Sequence, residues 1–520
     1  MDRSIIVPFA YQAELSGIGA RDLHDSVWYS RTFEPPKAER LILHFGAVDY
    51  RATVWVNDIQ VADHEGGHTP FEADITAVVR EGENQLVVRA DDPATDRTIP
   101  RGKQYWKEEP ETIFYTGTSG IWQTVWLEPL PHRHFTSLRL RPDLKAGALE
   151  FEVQVSNPRL GVVLEVRLDG HLVGSFSGAA GPGRVALQTV RSWSPESPVL
   201  YDISLALIDE TGRELDHVES YFGLRSVAAR DGLFFLNGEP YIQRLVLDQG
   251  YFPGGWYTAA TDEDLRANIE LARGFGFNGA RKHQKIEDPR WLYWADRLGF
   301  LVWEEMPSFH EFTVEAERRL TTELGAAITR DLDHPCIVAW VPANESFGLD
   351  ALSASERAQV LVRLYQSVKR LDSKRPVSSN DGWEHALTDL CTLHDYGPPA
   401  DLHANYRSTP AALDQGKRPR PSYLPGFGHR GEPILLSEFG GIALQGSGGW
   451  GFSETSGPTQ LAERYGALVA ALMAPGPIEG FCYTQLNDIE QERNGLLTFD
   501  RRPKVDPKIL SPLTQKPKRR

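Results

Sequence analysis

Three cysteines, Cys336, Cys391 and Cys482, are all that this chain of 520 residues carries. An odd number at wide spacing builds neither a disulfide framework nor a thiolate metal site, so reduced thiols are expected. Long apolar runs are also missing, and Pro8 interrupts the short one at Ile5-Ile6-Val7. No signal peptide or membrane span is visible, which makes the cytoplasm the expected compartment and a membrane an unexpected partner. Positive charge is in deficit, because 55 Lys and Arg stand against 71 Asp and Glu for a net charge of −16. That balance argues against nucleic acid as a partner. It leaves small substrates open, since salt screens distant charge beyond about 8 Å and residues local to a pocket decide there. Neither a glycine-rich nucleotide loop nor a Cys/His cluster occurs, so no cofactor is expected.

What is present is a globular composition, 41% hydrophobic and 24% charged, with 13 Trp, 17 Tyr and 23 Phe. The length predicts several domains. Up to about residue 131, short alternating runs such as Leu41-Ile42-Leu43-His44-Phe45 and Ala52-Thr53-Val54-Trp55-Val56 predict a β-sandwich. From 132 to 226 the alternation continues in Leu149-Glu150-Phe151-Glu152-Val153 and Tyr201-Asp202-Ile203-Ser204-Leu205, with Ala179-Ala180-Gly181-Pro182-Gly183 read as a hairpin. A second, immunoglobulin-like sandwich fits that length. From 227 to 520, apolar strands alternate with helical patterns, the signature of a parallel sheet. Eight strands are expected, beginning near Tyr241, Asn278, Leu301, Ile337, Pro376, Leu390, Ile434 and Gly480. Helices are expected over 261–275, 289–298, 314–332, 353–371 and 459–473. Together they predict a (β/α)8 TIM barrel, with 397–432 as a loop over its mouth and the basic C-terminal tail in solvent.

Two acids carry the chemistry. Glu345 closes the run Ile337-Val338-Ala339-Trp340-Val341, and Glu438 lies in Ile434-Leu435-Leu436-Ser437-Glu438-Phe439-Gly440-Gly441. Both sit where a buried strand ends, and strand ends of one barrel bring distant residues together. Glycosidic bond cleavage with retention needs a nucleophilic carboxylate and a protonated acid roughly 5–5.5 Å apart, so the pair points to glycosidase chemistry.

With Gly66-Gly67-His68-Thr69-Pro70-Phe71, Gly120-Ile121-Trp122-Gln123-Thr124-Val125-Trp126, Tyr221-Phe222-Gly223-Leu224-Arg225, Asn344-Glu345-Ser346, Ser437-Glu438-Phe439-Gly440 and Asn494-Gly495-Leu496-Leu497, the chain resembles glycoside hydrolase family 2 over nearly its whole length. That family holds β-galactosidases, β-glucuronidases and β-mannosidases. The resemblance implies Glu345 as general acid/base and Glu438 as nucleophile. It implies that Asn344 bonds the sugar 2-hydroxyl and that Arg281 supports the nucleophile. Tyr396, in His394-Asp395-Tyr396, would contact the nucleophile or only pack, and His283 is either structural or a ligand contact. Asp381 and Trp383, in Asn380-Asp381-Gly382-Trp383, could bond hydroxyls and stack on the ring. Asp248, in Asp248-Gln249, stands where relatives carry Arg-His-Glu.

For the sugar, family β-glucuronidases grip the uronate carboxylate with an Asn-x-Lys-Gly segment, and here the matching residues are Glu492, Arg493, Asn494 and Gly495. An added carboxylate opposes an anion. Terminal β-D-galactosides are therefore the expected substrate and β-glucuronides the alternative, with Arg493, Lys282 or Lys285 as cations that would rescue uronate binding. β-Mannosidase, α-L-arabinopyranosidase and a non-catalytic carbohydrate-binding protein remain further alternatives. Large galactosidases of the family hold magnesium through a Glu-x-His segment. Ser308-Phe309-His310 lacks that acid, so no metal is expected. Homo-oligomers are common in the family and are an expectation here.

Overall fold

The computed structural model describes residues 3–414 and 420–518. Near the N-terminus, a four-stranded sheet in the order Ser26–Phe33, Asn84–Asp91, Arg51–Val56, Ile59–Glu65 faces a three-stranded sheet of Phe71–Asp74, Arg40–Phe45 and Val125–Leu130. Leu41, Leu43, Phe45, Val54, Val56 and Val88 fill the space between them, because alternate residues of a strand face the same side. The second sandwich pairs Phe135–Asp143, Ala148–Val155 and Gly181–Ala186 in one sheet. Its other sheet orders His171–Ala179, Gly161–Leu168, Tyr201–Ile208 and Glu214–Phe222.

The expected hairpin at 179–183 does not form. His171–Ala179 and Gly181–Ala186 belong to opposite sheets, so the chain switches sheets at Ala180. Gly183 permits the switch, since a Cβ there would lie 2.2 Å from the Phe151 ring on the paired strand.

Seven parallel strands curl into the barrel. In sheet order they are Ile337–Val341, Leu301–Glu305, Gly279–Lys282, Gln243–Asp248, Ile478–Thr484, Ile434–Gly440 and Cys391–His394, and every residue of the Ile337–Val341 strand is buried, as a sheet covered on both faces requires. The fifth strand, expected near Pro376, is reduced to the isolated bridges Trp340–Val377 and Asn344–Asp381. Side chains replace its ladder on the side of the sixth strand: Val377 N donates to Asp389 Oδ2 at 3.0 Å and Gly382 N to Thr392 Oγ1 at 3.1 Å.

The helices fall at Asp262–Gly274, Pro289–Leu298, Val314–Asp331, Ala354–Leu371 and Pro458–Leu472. Two of them begin one residue later than expected because Thr261 and Ser353 are the caps of capping boxes, and a cap lies outside the helical turn. The 397–432 stretch is not a plain loop: it contains helices Pro399–Asn405 and Thr409–Ala412, and residues 415–419 of it lie outside the described ones. Lys518 of the tail is not free in solvent but pairs with Glu479 at 2.5 Å; Arg519 and Arg520 lie outside the described residues. Among the described residues no helix is long and apolar enough to cross a membrane.

The first sandwich sends its 99–119 segment across the mouth of the barrel. Gly102 N donates to Ser308 O at 3.0 Å, and His310 Nε2 lies 2.8 Å from Gly102 O. Behind this seam, Tyr115 and Trp122 of the sandwich pack with Tyr251, Tyr257 and Ile489 of the barrel. Gly102 has φ +60, and a Cβ there would lie 2.4 Å from Gln284 O. Gly102→Ala combines left-handed strain with a clash against backbone, each on the order of 1–3 kcal/mol. We expect a lower thermal midpoint and faster proteolysis within 99–119; a midpoint equal to that of the parent would show that this seam does not constrain the domain contact.

Candidate active site

At the C-terminal ends of the barrel strands, Arg281 is fully buried and surrounded by acceptors. Its Nε meets Glu305 Oε2 at 2.5 Å, and its Nη1 meets Asp381 Oδ2 at 2.7 Å and Glu438 Oε1 at 3.1 Å. Its Nη2 donates to Asn344 Oδ1 at 2.8 Å. The other oxygen of Glu438 accepts from the Tyr396 hydroxyl at 2.6 Å. Glu345 stands at the end of the fourth strand with φ +52, followed by Ser346 at +57. Two successive non-glycine residues in the left-handed region are strained, and the neighbouring fifth segment over-determines them. Glu345 N donates to Asp381 O, and Ser346 N to Asn380 Oδ1, both at 2.9 Å.

His394 joins the two acids. Its Nδ1 lies 2.6 Å from Glu345 Oε1 and 3.5 Å from Glu438 Oε2, while its Nε2 lies 2.9 Å from Asp381 Oδ2. A carboxylate oxygen from each glutamate and one His394 nitrogen all fall within 4.8 Å of one another. Burial opposes a charge on this imidazole, but Glu438, Asp381 and Glu345 outweigh it and push it up to about 10. For Asp381, burial is outweighed in the other direction by Arg281 and His394, which hold the carboxyl well below its usual range. His283 is driven well below the ordinary imidazole range by burial and by Arg281. It stays neutral, and its Nδ1 lies 2.9 Å from Arg281 Nη2 and 3.0 Å from Glu305 Oε1.

The cavity over these groups holds about 450 Å³ and is lined by Asn344, Glu345, His283, Trp383, His394, Tyr396, Glu438 and Glu492. Four of the candidate site residues, Arg281, Asp381, Asp248 and Asn494, do not line it. Arg281 and Asp381 are consumed in holding each other and the lining groups. Asp248 is buried against Lys282 at 2.9 Å. Its neighbour Gln249 faces the cavity, since successive residues at a strand end point to opposite sides. Asn494 is fully buried and acts through Glu492: its Nδ2 donates to Glu492 Oε1 at 3.0 Å, while Tyr115 of the sandwich donates to Glu492 Oε2 at 2.5 Å. The proposed rescuing cations are absent from the lining as well. Lys282 and Lys285 are committed to Asp248 and Glu287 below, and Arg493 does not line the cavity.

Lining residues that the motifs did not reveal are Lys103, Ile113, Phe452 and Thr484. Phe452 stacks on Tyr396 with ring centroids 3.4 Å apart. It and the sandwich residues carry no local pattern that ties them to a barrel mouth. Among the described residues, two clusters have donor atoms close enough for a metal ion, Glu345–His394–Glu438 and Asp296–His334–Cys336. In the second, the Asp296 carboxylate already accepts from Tyr221, from the Cys336 backbone N–H and from His334. It acts there as a clasp between the second sandwich and the barrel.

Three family models match the chain in order. "Glycosyl hydrolases family 2, sugar binding domain" matches 1–127, "Glycosyl hydrolases family 2" matches 134–225 and "Glycosyl hydrolases family 2, TIM barrel domain" matches 227–456. A β-glucuronidase of Paenibacillus borealis is 25% identical over 85% of this chain and 78% of its own length. A β-galactosidase of Thermoanaerobacter pseudethanolicus is 30% identical over 61% of this chain and 44% of its own length. The solved β-glucuronidase of Ruminococcus gnavus in complex with D-glucuronic acid superposes with a TM-score of 0.81 at 20% identity, covering 98% of this chain and 91% of that one; it shares the fold.

A histidine whose folded value is raised from 6.5 to about 10 adds stability that is fully present below 6.5 and is lost as pH rises through about 10. The thermal midpoint of the parent should therefore fall between pH 6.5 and 10 more steeply than that of His394→Gln. Parallel curves across that window would refute a charged His394.

Proposed function

Because the chain belongs to glycosyl hydrolase family 2 and is a β-glycosidase of that family, we propose that it is a retaining, exo-acting enzyme that hydrolyses terminal β-D-glucuronides. The observation that carries the mechanism is the approach of Glu345 and Glu438 oxygens to within 4.8 Å. Oxygens this close support the retaining arrangement, whose carboxyls stand roughly 5–5.5 Å apart, over the inverting one at roughly 6.5–9.5 Å.

Glu438 attacks the anomeric carbon with one oxygen while Arg281 and Tyr396 orient the carboxylate and complement its charge. The bond from that carbon to the leaving oxygen breaks, and Glu345 gives the oxygen its proton. A glycosyl ester to Glu438 results. As Glu345 loses its proton, the carboxylate formed lies 2.6 Å from His394 Nδ1. Glu345 then removes a proton from water, the water oxygen attacks the same carbon, and the ester bond breaks to release the sugar and Glu438. Arg281 holds Asn344 at 2.8 Å, which supports its reading as the residue that bonds the 2-hydroxyl. Trp383 and Glu492 also line the cavity.

The β-glucuronidases among the relatives support the uronide. A second reading, β-galactosidase, is favoured by Glu492 and Asn494 at the places of the carboxylate-gripping Asn and Lys and by the 30% identical β-galactosidase. Comparing kcat/KM for matched nitrophenyl β-D-glucuronide and β-D-galactoside decides between them: preference for the glucuronide is expected, and preference for the galactoside would replace this reading with the second.

Glu345→Gln should cost about 10²–10⁴ in kcat/KM on a substrate whose leaving group needs protonation, and less on a nitrophenyl glycoside. Glu438→Gln should lose activity on both. An equal loss for the two substrates in Glu345→Gln would remove it from the acid role.

A further inference from the structure

Lys103 lies outside every motif described above. The sandwich segment 99–119 carries it into the cavity, with Gly102 fixed on Ser308 and His310, and with Lys103 O accepting from Tyr115 N at 2.9 Å. Its side chain is only 6% exposed. Among the described residues its ammonium closes no hydrogen bond and no ion pair. What surrounds it is the Phe347 ring, 5.5 Å from Nζ to the centroid, and at longer range the charge of Glu492. Glu492 cannot readily swing to meet it, because one of its oxygens takes the Tyr115 hydroxyl and the other takes Asn494 Nδ2, itself braced by Gln485 at 2.8 Å.

The other cations around the site are committed. Arg281 is saturated by Glu305, Asp381 and Glu438, Lys282 by Asp248 and Glu287, and Lys285 by Glu287 and two backbone carbonyls. An ammonium with no direct hydrogen-bond or ion-pair partner, beside a cavity of about 450 Å³, is complementary to an anionic ligand group. A hydroxyl would complement it far less, since it brings no charge.

We propose that Lys103 is the specificity residue of this site and binds the C6 carboxylate of a β-D-uronide. The inference rests on the glucuronide reading above and deepens it. A residue from the first sandwich thereby takes the part that sequence reasoning sought among Arg493, Lys282 and Lys285.

The test uses three nitrophenyl substrates on the full chain: β-D-glucuronide, its uncharged glucuronamide and β-D-galactoside. In Lys103→Gln and Lys103→Met, the ratio of kcat/KM for acid over amide should fall about 100-fold or more, the scale of removing one partner of a buried charge pair. Most of that fall should be in KM, and Lys103→Arg should restore at least a tenth of the parental ratio. D-Glucuronic acid should also lose inhibitory strength against the galactoside reaction. If the parent prefers glucuronide and these ratios survive in both neutral variants, this inference alone fails. If the parent prefers galactoside and does not discriminate acid from amide, the uronide reading and this inference fail together. A neutral variant that loses activity equally on all three substrates assigns Lys103 to folding of the mouth and overturns the proposal.

Discussion

A guanidinium with no access to water must find its whole complement of acceptors within the protein, and that requirement at Arg281 organises the barrel mouth. Its partners come from the third strand through Glu305, the loop after the fourth through Asn344, the fifth segment through Asp381 and the seventh strand through Glu438. A buried charge left unpaired is costly enough that these four must converge. Their convergence sets the positions of the two carboxylates. His394 extends the same network as a second cation, so that Glu345, Glu438 and Asp381 share two positive groups. Such networks are not sums of pairs, because each bond polarises the next.

The seam between the first sandwich and the barrel completes what the network begins. Tyr115 fixes Glu492, Thr116 bonds Glu490 through its backbone and hydroxyl, and Gly102 seats the segment on the loop after the third strand. Burial within this seam pushes Glu323 up to about 8 and His68 down to about 4. Both shifts favour neutral forms, as a low-dielectric interface does. The cavity is therefore a property of two domains, with Lys103 and Ile113 of the sandwich on its wall beside the barrel residues.

Much of this was legible beforehand. The five long barrel helices were readable from periodicity and caps to within a residue or two at each end, because amphipathic packing and capping are local effects written in adjacent positions, whereas Pro399–Asn405, Thr409–Ala412 and Pro507–Thr514 were not foreseen. The glutamate pair was legible for a similar reason: Glu345 follows the apolar run Ile337–Val341 and Glu438 lies near the end of Ile434–Gly440, so both stand by the C-terminal end of a buried strand. The fifth strand fell short of its expected ladder because Asp389 and Thr392 from the next unit take over its hydrogen bonds. Ala180 misled because a hairpin and a sheet switch share the same glycine-rich chemistry and differ only in which partner strand is nearer.

The sequence by itself determined three domains, a parallel barrel and two carboxylates at strand ends, since hydrophobic period and turn chemistry act over a few neighbouring residues. Only the tertiary structure decided which side of the wall each polar residue occupies. Asp248 and Gln249 differ by one position and face opposite ways, and Asn494 turned out to brace Glu492 from behind. It also decided that the ammonium in the cavity is that of Lys103, some 240 residues before Glu345 in the chain. Burial and charge pairing are non-local quantities: they depend on which surfaces meet when domains dock, and no local pattern around Lys103 records that meeting.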